Sequence, residues 1–320
     1  MSAYNTYFLW ILCSLLLLLN LDSADSCPKK CGGIHIPHPF GIGKGCYLNP
    51  WYEIKCDHNT SLSVSKKPVP VLAVVDKEVV GIYLEGSIII KNRITSKGCS
   101  SDGEDFESLL NLTGTPFYLS PSNTLIAAGC DNTASLTNIE PSMVGCKSRC
   151  GKKNHTPTQD FLEGECFTDY GSDENCTEKS IAKEKFCSGI GCCEASIPGG
   201  RQQIVGVRID NSTTAKGCKV AFLTDENYLL ANGSDTQRIH AKGYVTVMLG
   251  WFIRMPNSSF FDSLGCLTTK KYNIAKQIEH ATTFGIDCTC DYYSSFSTYG
   301  RCECTEGYRG NPYVSGGCKG

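Results

Sequence analysis

Apolar and polar positions alternate in short blocks along most of this chain, and few blocks repeat at helical spacing. Residues 68–90, PVPVLAVVDKEVVGIYLEGSIII, are rich in Val and Ile. Turn-like breaks at Asp76-Lys77-Glu78 and Glu85-Gly86 divide them into short strands. FYLSPSNTLIAAGC, 117–130, reads as two more strands about Pro121-Ser122-Asn123. A helix there would have to tolerate proline and β-branched runs. QQIVGVRI, CKVAFL and KGYVTVMLGWFIR repeat the pattern between 202 and 254. Only YNIAKQIEHA, 272–281, suggests a helix, with Ile274, Ala275 and Ile278 at helical spacing. Residues 133–200 show little periodicity and read as mostly connecting chain held by cysteines. The fold class expected is mainly β, with disulfide-rich extracellular β lobes followed by a small terminal module.

The longest apolar run, Phe8–Leu19, has the length of a signal-peptide core and is short for a bilayer span. Ala24-Asp25-Ser26 supplies small residues for cleavage, so residues 1–26 are expected to be a removed leader. A retained signal anchor is the alternative. No later run approaches a membrane helix; Tyr244–Ile253 is the best candidate and is interrupted by Gly250. The chain holds 21 cysteines, of which Cys13 lies in the leader. The remaining even set reads as a disulfide framework in an oxidising compartment. The tandem Cys192-Cys193 is expected to reach two distant partners. Cysteine spacings do not match a paired zinc site, and no metal or other cofactor is expected. Seven sequons, at Asn59, Asn111, Asn154, Asn175, Asn211, Asn232 and Asn257, fit a glycoprotein. Asn175 is the odd one, with Cys176 at its middle position.

Enzyme signatures are missing from the sequence. There is no G-x-S-x-G elbow, H-E-x-x-H helix or P-loop. The glycines of GIGKG, 41–45, follow no strand and are best explained as turn residues beside Cys46. Asp102/Glu104/Asp105 and Asp173/Glu174 read as solvated loop acids rather than a glycosidase pair. No catalytic residue is assigned.

Charge is uneven. Residues 27–100 hold ten Lys or Arg against five acids, a net of +5, whereas 101–320 carry −5. A basic lobe attracts a polyanion. No nucleic-acid motif is present, so an acidic polysaccharide is the natural partner. Lys29, Lys30, Lys44, Lys55, Lys66, Lys67, Lys91 and Arg93 are the candidate carboxylate partners, and Trp51 and Tyr52 the candidate sugar-stacking rings. The competing reading makes Trp51 and Tyr52 core residues and the lysines a scattered solvated face.

CPKKCGGIHIPHPFGIGKGCYLNPWYEIKC, 27–56, resembles the start of the galacturonan-binding domain of plant wall-associated receptor kinases. The pattern is carried by Cys27, Cys31-Gly32, Ile36-Pro37-His38-Pro39-Phe40-Gly41-Ile42, Gly45-Cys46 and Cys56, with His38 where Tyr is common. GIGCCEASIPGG, GCKVAFL and VMLGWFI look like the second extracellular segment of the same group. CECTEGYRGNPYVSGGC, 302–318, looks like an epidermal-growth-factor-like (EGF-like) repeat. Its layout implies a Cys304–Cys318 bond, unless these cysteines serve the preceding lobe. The resemblance implies a galacturonan-binding-like domain at 27–132, a cysteine-rich second segment at 133–285, and an EGF-like, possibly incomplete, module at 286–320. It implies that the Gly/Pro-rich opening is a disulfide-tied loop in front of a pectin-binding lobe.

Family members usually continue into a calcium-binding repeat, a membrane helix and a Ser/Thr kinase. No Gly-rich kinase loop, H-R-D or D-F-G stands in this sequence. The expected product is a secreted protein of the cell wall, binding pectin or oligogalacturonides, with plasma-membrane attachment only through a longer product. A module engaging an extracellular peptide or receptor partner is the alternative.

Overall fold

A computed structural model describes residues 27–57, 67–100, 105–139, 144–149, 187, 189, 191–210, 217–225, 236–278, 286–293 and 298–320. The expected leader, Lys66, and the sequons at Asn59, Asn154, Asn175, Asn211 and Asn232 lie outside these residues. The chain is mainly β, and contacts divide it into two compact units that interleave along the sequence. The first comprises 1–91, 111–120 and 247–320; the second comprises 92–110 and 121–246. Among the described residues no helix is long and apolar enough to cross a membrane.

The first unit holds most of a six-stranded sheet, of which residues 92–93 and 244–246 are grouped with the second unit. The sheet order is Ile54–Asp57, Val69–Leu72, Lys77–Tyr83, Ser87–Arg93, Tyr244–Trp251 and Phe117–Leu119. The turns fall close to the expected breaks, and Asp76 takes φ 51 in the first of them, a conformation that Asp tolerates better than most residues. Alternation sets the buried face: Ile88 and Ile90 are fully buried, while the alternate positions Ser87, Ile89 and Lys91 are half-buried.

The core of this unit is aromatic. Phe40, Tyr52, Phe117, Trp251 and Tyr313 are all essentially without exposed surface. Phe40 meets Trp251 at 5.2 Å and Tyr52 at 5.4 Å, both edge-to-face. Tyr313 meets Trp251 at 5.2 Å. Such pairs add about 0.5–1.5 kcal/mol each beyond the area they bury. Polar tips are paired as burial requires. The Tyr52 hydroxyl donates to the Phe252 carbonyl at 2.8 Å, the Trp251 indole to the Ser87 carbonyl at 3.1 Å, and the Tyr313 hydroxyl accepts from Cys302 N–H at 3.3 Å.

This core explains the opening stretch. Phe40 reaches it from a chain that is almost all turn, through the cis peptide His38–Pro39. Gly41 follows because its backbone runs against the next loop. A Cβ there would collide with the Cys46 carbonyl. Gly41 N–H donates to the Tyr52 carbonyl at 3.2 Å, and Ile54 N–H returns a bond to the Gly41 carbonyl at 2.9 Å.

At the other end of the chain, Ile253–Met255, Thr298–Cys304 and Cys288–Tyr293 form a three-stranded antiparallel sheet. Arg309–Gly310 and Cys318–Lys319 pair beyond it. Disulfides Cys290–Cys302 and Cys304–Cys318 close this small EGF-like module, and Cys266–Cys288 ties it to the preceding segment. Asn311 fixes it twice: its amide donates to the His38 carbonyl at 2.7 Å, and its side-chain oxygen accepts from Tyr313 N–H at 2.9 Å.

The second unit holds two four-stranded sheets. One is ordered Cys192–Ser196, Thr124–Ala128, Lys219–Thr224, Thr95–Lys97, and the other Gly145–Lys147, Thr133–Thr137, Ile204–Ile209, Ser108–Asn111. Ile126, Val220, Phe222, Ile239 and Val245 form its main apolar cluster. The buried Thr95 hydroxyl joins the sheets, donating to the Val207 carbonyl and accepting from Ser108 N–H, each at 3.0 Å.

Three details differ from the expectation. Residues 133–200 are not only connecting chain, since Thr133–Thr137, Gly145–Lys147 and Cys192–Ser196 are strands. Each is short: Thr133–Thr137 pairs with the distant Ile204–Ile209 and Cys192–Ser196 with Thr124–Ala128, while Gly145–Lys147 adds to the edge of Thr133–Thr137. Cys193 reaches Cys146, 47 residues away, but Cys192 bonds Cys187 only five residues away. The expected helix is Thr269–Ile278, and two further short ones stand at Thr236–Lys242 and Ser259–Leu264.

Replacing Phe40 with Ala should destabilise the first unit by about 3–5 kcal/mol, read as a lower denaturant midpoint; an unchanged midpoint would refute the central place given to this ring. Burial pushes the Tyr52 hydroxyl well above its ordinary range and the Tyr313 hydroxyl up to about 12. The folded state therefore keeps protons that the unfolded chain releases near ~10. The contribution of these two groups should be level below that pH and be lost between about 10 and 12, with Tyr313→Phe showing a shallower fall. Melting temperatures that do not move between pH 9 and 11 would contradict this.

Candidate functional site

The expected binding residues separate into three groups. Lys29, Lys30, Lys44, Lys55 and Lys67 are exposed, and all belong to the first unit. Two disulfides hold most of them on neighbouring chain segments. Cys31–Cys56 joins the short strand Lys30–Cys31 to Ile54–Asp57, with a Cα–Cα distance of 5.8 Å. Lys30 and Lys55 each immediately precede one of those cysteines, so their Cα atoms lie within roughly 13 Å. Lys67 joins them through Pro68, whose carbonyl sits where a Gly32 Cβ would be. Cys27–Cys46 closes the other loop, bringing Lys44 on its Gly43-Lys44-Gly45 turn toward the segment that holds Lys29. Each loop closure lowers the entropy of the unfolded chain, by about 3 kcal/mol for loops of this size. The half-buried His38 differs from these lysines, since partial burial lowers its pKa and favours the neutral ring.

The second group has charges already engaged or placed elsewhere. Lys91 pairs with Glu78 at 2.5 Å across adjacent strands. Arg93 lies in the second unit, with its guanidinium 4.2 Å from the centre of the Phe106 ring.

The third group is the adjacent pair Trp51 and Tyr52. Tyr52 is a core residue with no surface to offer a sugar, which corrects the expectation of a stacking ring. Trp51 is half-buried, with part of its surface open. The single-turn 3-10 helix Pro50–Tyr52 sends these neighbours in different directions, and Asn49 caps it by accepting from Trp51 N–H at 3.0 Å.

Trp51 is one wall of a groove of about 600 Å³ lined by Asn49, Pro50, Trp51, Arg254, Met255 and Pro256. Arg254 is its charged member. Its guanidinium stands 5.2 Å from the Trp51 ring centre and 5.8 Å from that of Tyr299, distances suited to cation–π attraction. One of its nitrogens donates to the Gly114 carbonyl at 3.1 Å. Its backbone is fixed from both sides, by Arg254 N–H to the Tyr52 hydroxyl at 3.2 Å and by the Asn49 amide to the Arg254 carbonyl at 3.4 Å. Sequence reasoning missed Arg254 and Tyr299. Arg254 ends a segment read only as strand, and nothing local links it to Trp51 about 200 positions earlier.

Among the described residues no cluster of three or more His, Cys, Asp or Glu is placed to hold a metal ion. Two sequons are described, and both are exposed. At Asn111 the side-chain oxygen accepts from Thr113 N–H at 3.0 Å, and at Asn257 from Ser259 N–H at 3.1 Å. This turn occupies the amide oxygen and leaves the amide nitrogen directed away from that bond.

A disulfide-rich β fold with a small EGF-like end is the architecture of an extracellular domain. Comparison with known proteins agrees. A family model described as wall-associated receptor kinase galacturonan-binding matches residues 27–82, and one described as wall-associated kinase matches 184–260. Wall-associated receptor kinase-like 10 of Arabidopsis thaliana is 51% identical over 332 residues, covering 100% of this chain and 42% of that protein. Wall-associated receptor kinase-like 18 and 17 of the same plant are each 43% identical, covering 98% and 97% of this chain and 43% and 41% of theirs. The chain belongs to the wall-associated receptor kinase-like family and corresponds to the extracellular region of those proteins. It spans less than half the length of the relatives it matches. No solved structure matches it.

When the chain is made in a secretory pathway, Asn111 and Asn257 should carry N-glycans. Peptide mapping after enzymatic deglycosylation should show Asn-to-Asp conversion at both; unmodified peptides at either would exclude that site.

Proposed function

We propose that this chain is a secreted or wall-facing domain that binds de-esterified pectin and oligogalacturonides through Lys29, Lys30, Lys44, Lys55 and Lys67. The observation that carries the reading is the group of exposed lysines held on segments joined by Cys27–Cys46 and Cys31–Cys56. All five fall within the segment matched by the galacturonan-binding model. Each exposed charge contributes little alone, about 0.2–1 kcal/mol. Repetition along the polymer raises the total through multivalency. Such binding is screened by salt, since exposed charges separated by more than about 10 Å scarcely interact at 0.1 M. Lys66, which precedes Lys67, belongs to the same proposal. In a longer receptor, occupancy of this surface would report the state of the wall; by itself the domain would act as a decoy or a wall-associated adaptor. The EGF-like module favours a second reading, an extracellular protein partner, which free oligogalacturonide would not displace.

Titration of the oxidised, glycosylated chain with a homogeneous oligogalacturonide should show affinity falling from low to moderate salt and upon methyl-esterification. A neutral glucan should not bind. A Lys55→Ala/Lys67→Ala variant should bind roughly three- to tenfold more weakly. Binding indifferent to ionic strength and to esterification would remove the electrostatic mechanism.

A further inference from the structure

We infer that the groove formed by Asn49–Trp51 and Arg254–Pro256 is a subsite that takes one galacturonate ring of the ligand. The ring carboxylate would pair with the Arg254 guanidinium and its apolar face would rest on Trp51. This inference rests on the galacturonan-binding reading and deepens it: the lysines hold the polymer by charge, and the groove reads the individual sugar.

Charge complementarity identifies the occupant. The groove has apolar walls, Pro50, Met255 and Pro256, and one fixed cation. Among the described residues no carboxylate is paired with Arg254. Of the five donors of a guanidinium, the one bond to the Gly114 carbonyl leaves most unspent. The side chain is already ordered between Trp51 and Tyr299 and by that carbonyl. Binding a carboxylate therefore costs less side-chain entropy than it would at a free arginine. Arginine suits this task better than lysine, because its planar fork meets both carboxylate oxygens.

The second half of the chemistry is the ring. Galacturonate carries its O4 axially, which gathers C–H groups on one face and leaves an apolar patch. The exposed part of Trp51 offers a matching surface beside the cation. A neutral hexose would find only that surface, and a methyl ester would lose the charge. The groove also joins two separately matched parts of the sequence. Asn49, Pro50 and Trp51 fall in the galacturonan-binding model, whereas Arg254, Met255 and Pro256 fall in the wall-associated-kinase model. Its volume is within the range of small-molecule sites.

The test uses trigalacturonate, too short to collect many lysine contacts, its methyl ester, and a neutral trisaccharide. They are titrated into the full chain carrying Asn257→Gln, so that no glycan on the neighbouring sequon covers the groove. Trp51 supplies the optical signal, since Trp251 is buried and Trp10 lies in the expected leader. Calorimetry supplies the affinity. Trigalacturonate should bind and perturb the tryptophan emission, and its ester and the neutral sugar should bind at least fivefold more weakly. Arg254→Lys and Trp51→Phe should each weaken trigalacturonate at least fivefold. Neither should change the salt dependence of a long oligogalacturonide, which the lysine variant reduces. The subsite is overturned if both variants melt as the parent does and still bind trigalacturonate equally. It is also overturned if the ester or the neutral sugar binds as well as the acid. If the parent binds the trimer through Arg254 but long oligomers show no salt dependence, the lysine surface falls and the groove stands. If neither trimer nor long oligomer binds, both fall.

Discussion

The first unit depends on one constraint: five aromatic rings must share a single dry core although they come from distant parts of the chain. Phe40 arrives from the Gly/Pro-rich opening, Tyr52 from a single helical turn, Phe117 and Trp251 from the sheet, and Tyr313 from the EGF-like end. None of these segments could bury its ring alone. Once the rings meet, their polar tips select the surrounding backbone, because a buried hydroxyl or indole N–H must find a partner. The opening can therefore be nearly free of regular structure and still be defined. Its glycines allow close approach, its disulfides close the loops, and its one phenyl ring, that of Phe40, is anchored.

That arrangement also shapes the surface. With Phe40 and Tyr52 turned inward, the lysines of the same segments are left on the outside, attached to a frame that two disulfides keep together. The adjacent residues Trp51 and Tyr52 divide the work between surface and core. The Tyr52 hydroxyl accepts from Arg254 N–H, so a core residue sets the backbone position of a surface cation. Core and groove are thereby coupled through one hydrogen bond.

Relatives in Arabidopsis thaliana are similar along nearly all of this chain and extend well beyond it. The similarity spans both contact-defined units. Those units interleave, with the chain passing between them near residues 91, 110, 120 and 246. Matching sequence segments and packed units are thus different divisions of the same molecule. The galacturonan-binding match ends at residue 82, inside the strand Lys77–Tyr83 of the six-stranded sheet. That sheet is completed by residues much later in the chain.

Much was legible in the residues. Val- and Ile-rich blocks with turn residues between them marked the strands at 69–72, 77–83, 87–93, 117–119 and 124–128, because alternation and turn chemistry are local properties. The excess of lysine in 27–100 and the opening cysteine pattern were local as well. Strands such as Thr133–Thr137 escaped notice because pairing, not propensity, makes them. The same limit applied to the site. Composition could propose Trp51 and Tyr52 together, but burial is a property of the whole fold, and only packing sent one ring inward and left the other partly exposed. Arg254 became its neighbour because chain closure, burial and disulfide pairing act across distances that a one-dimensional pattern does not record.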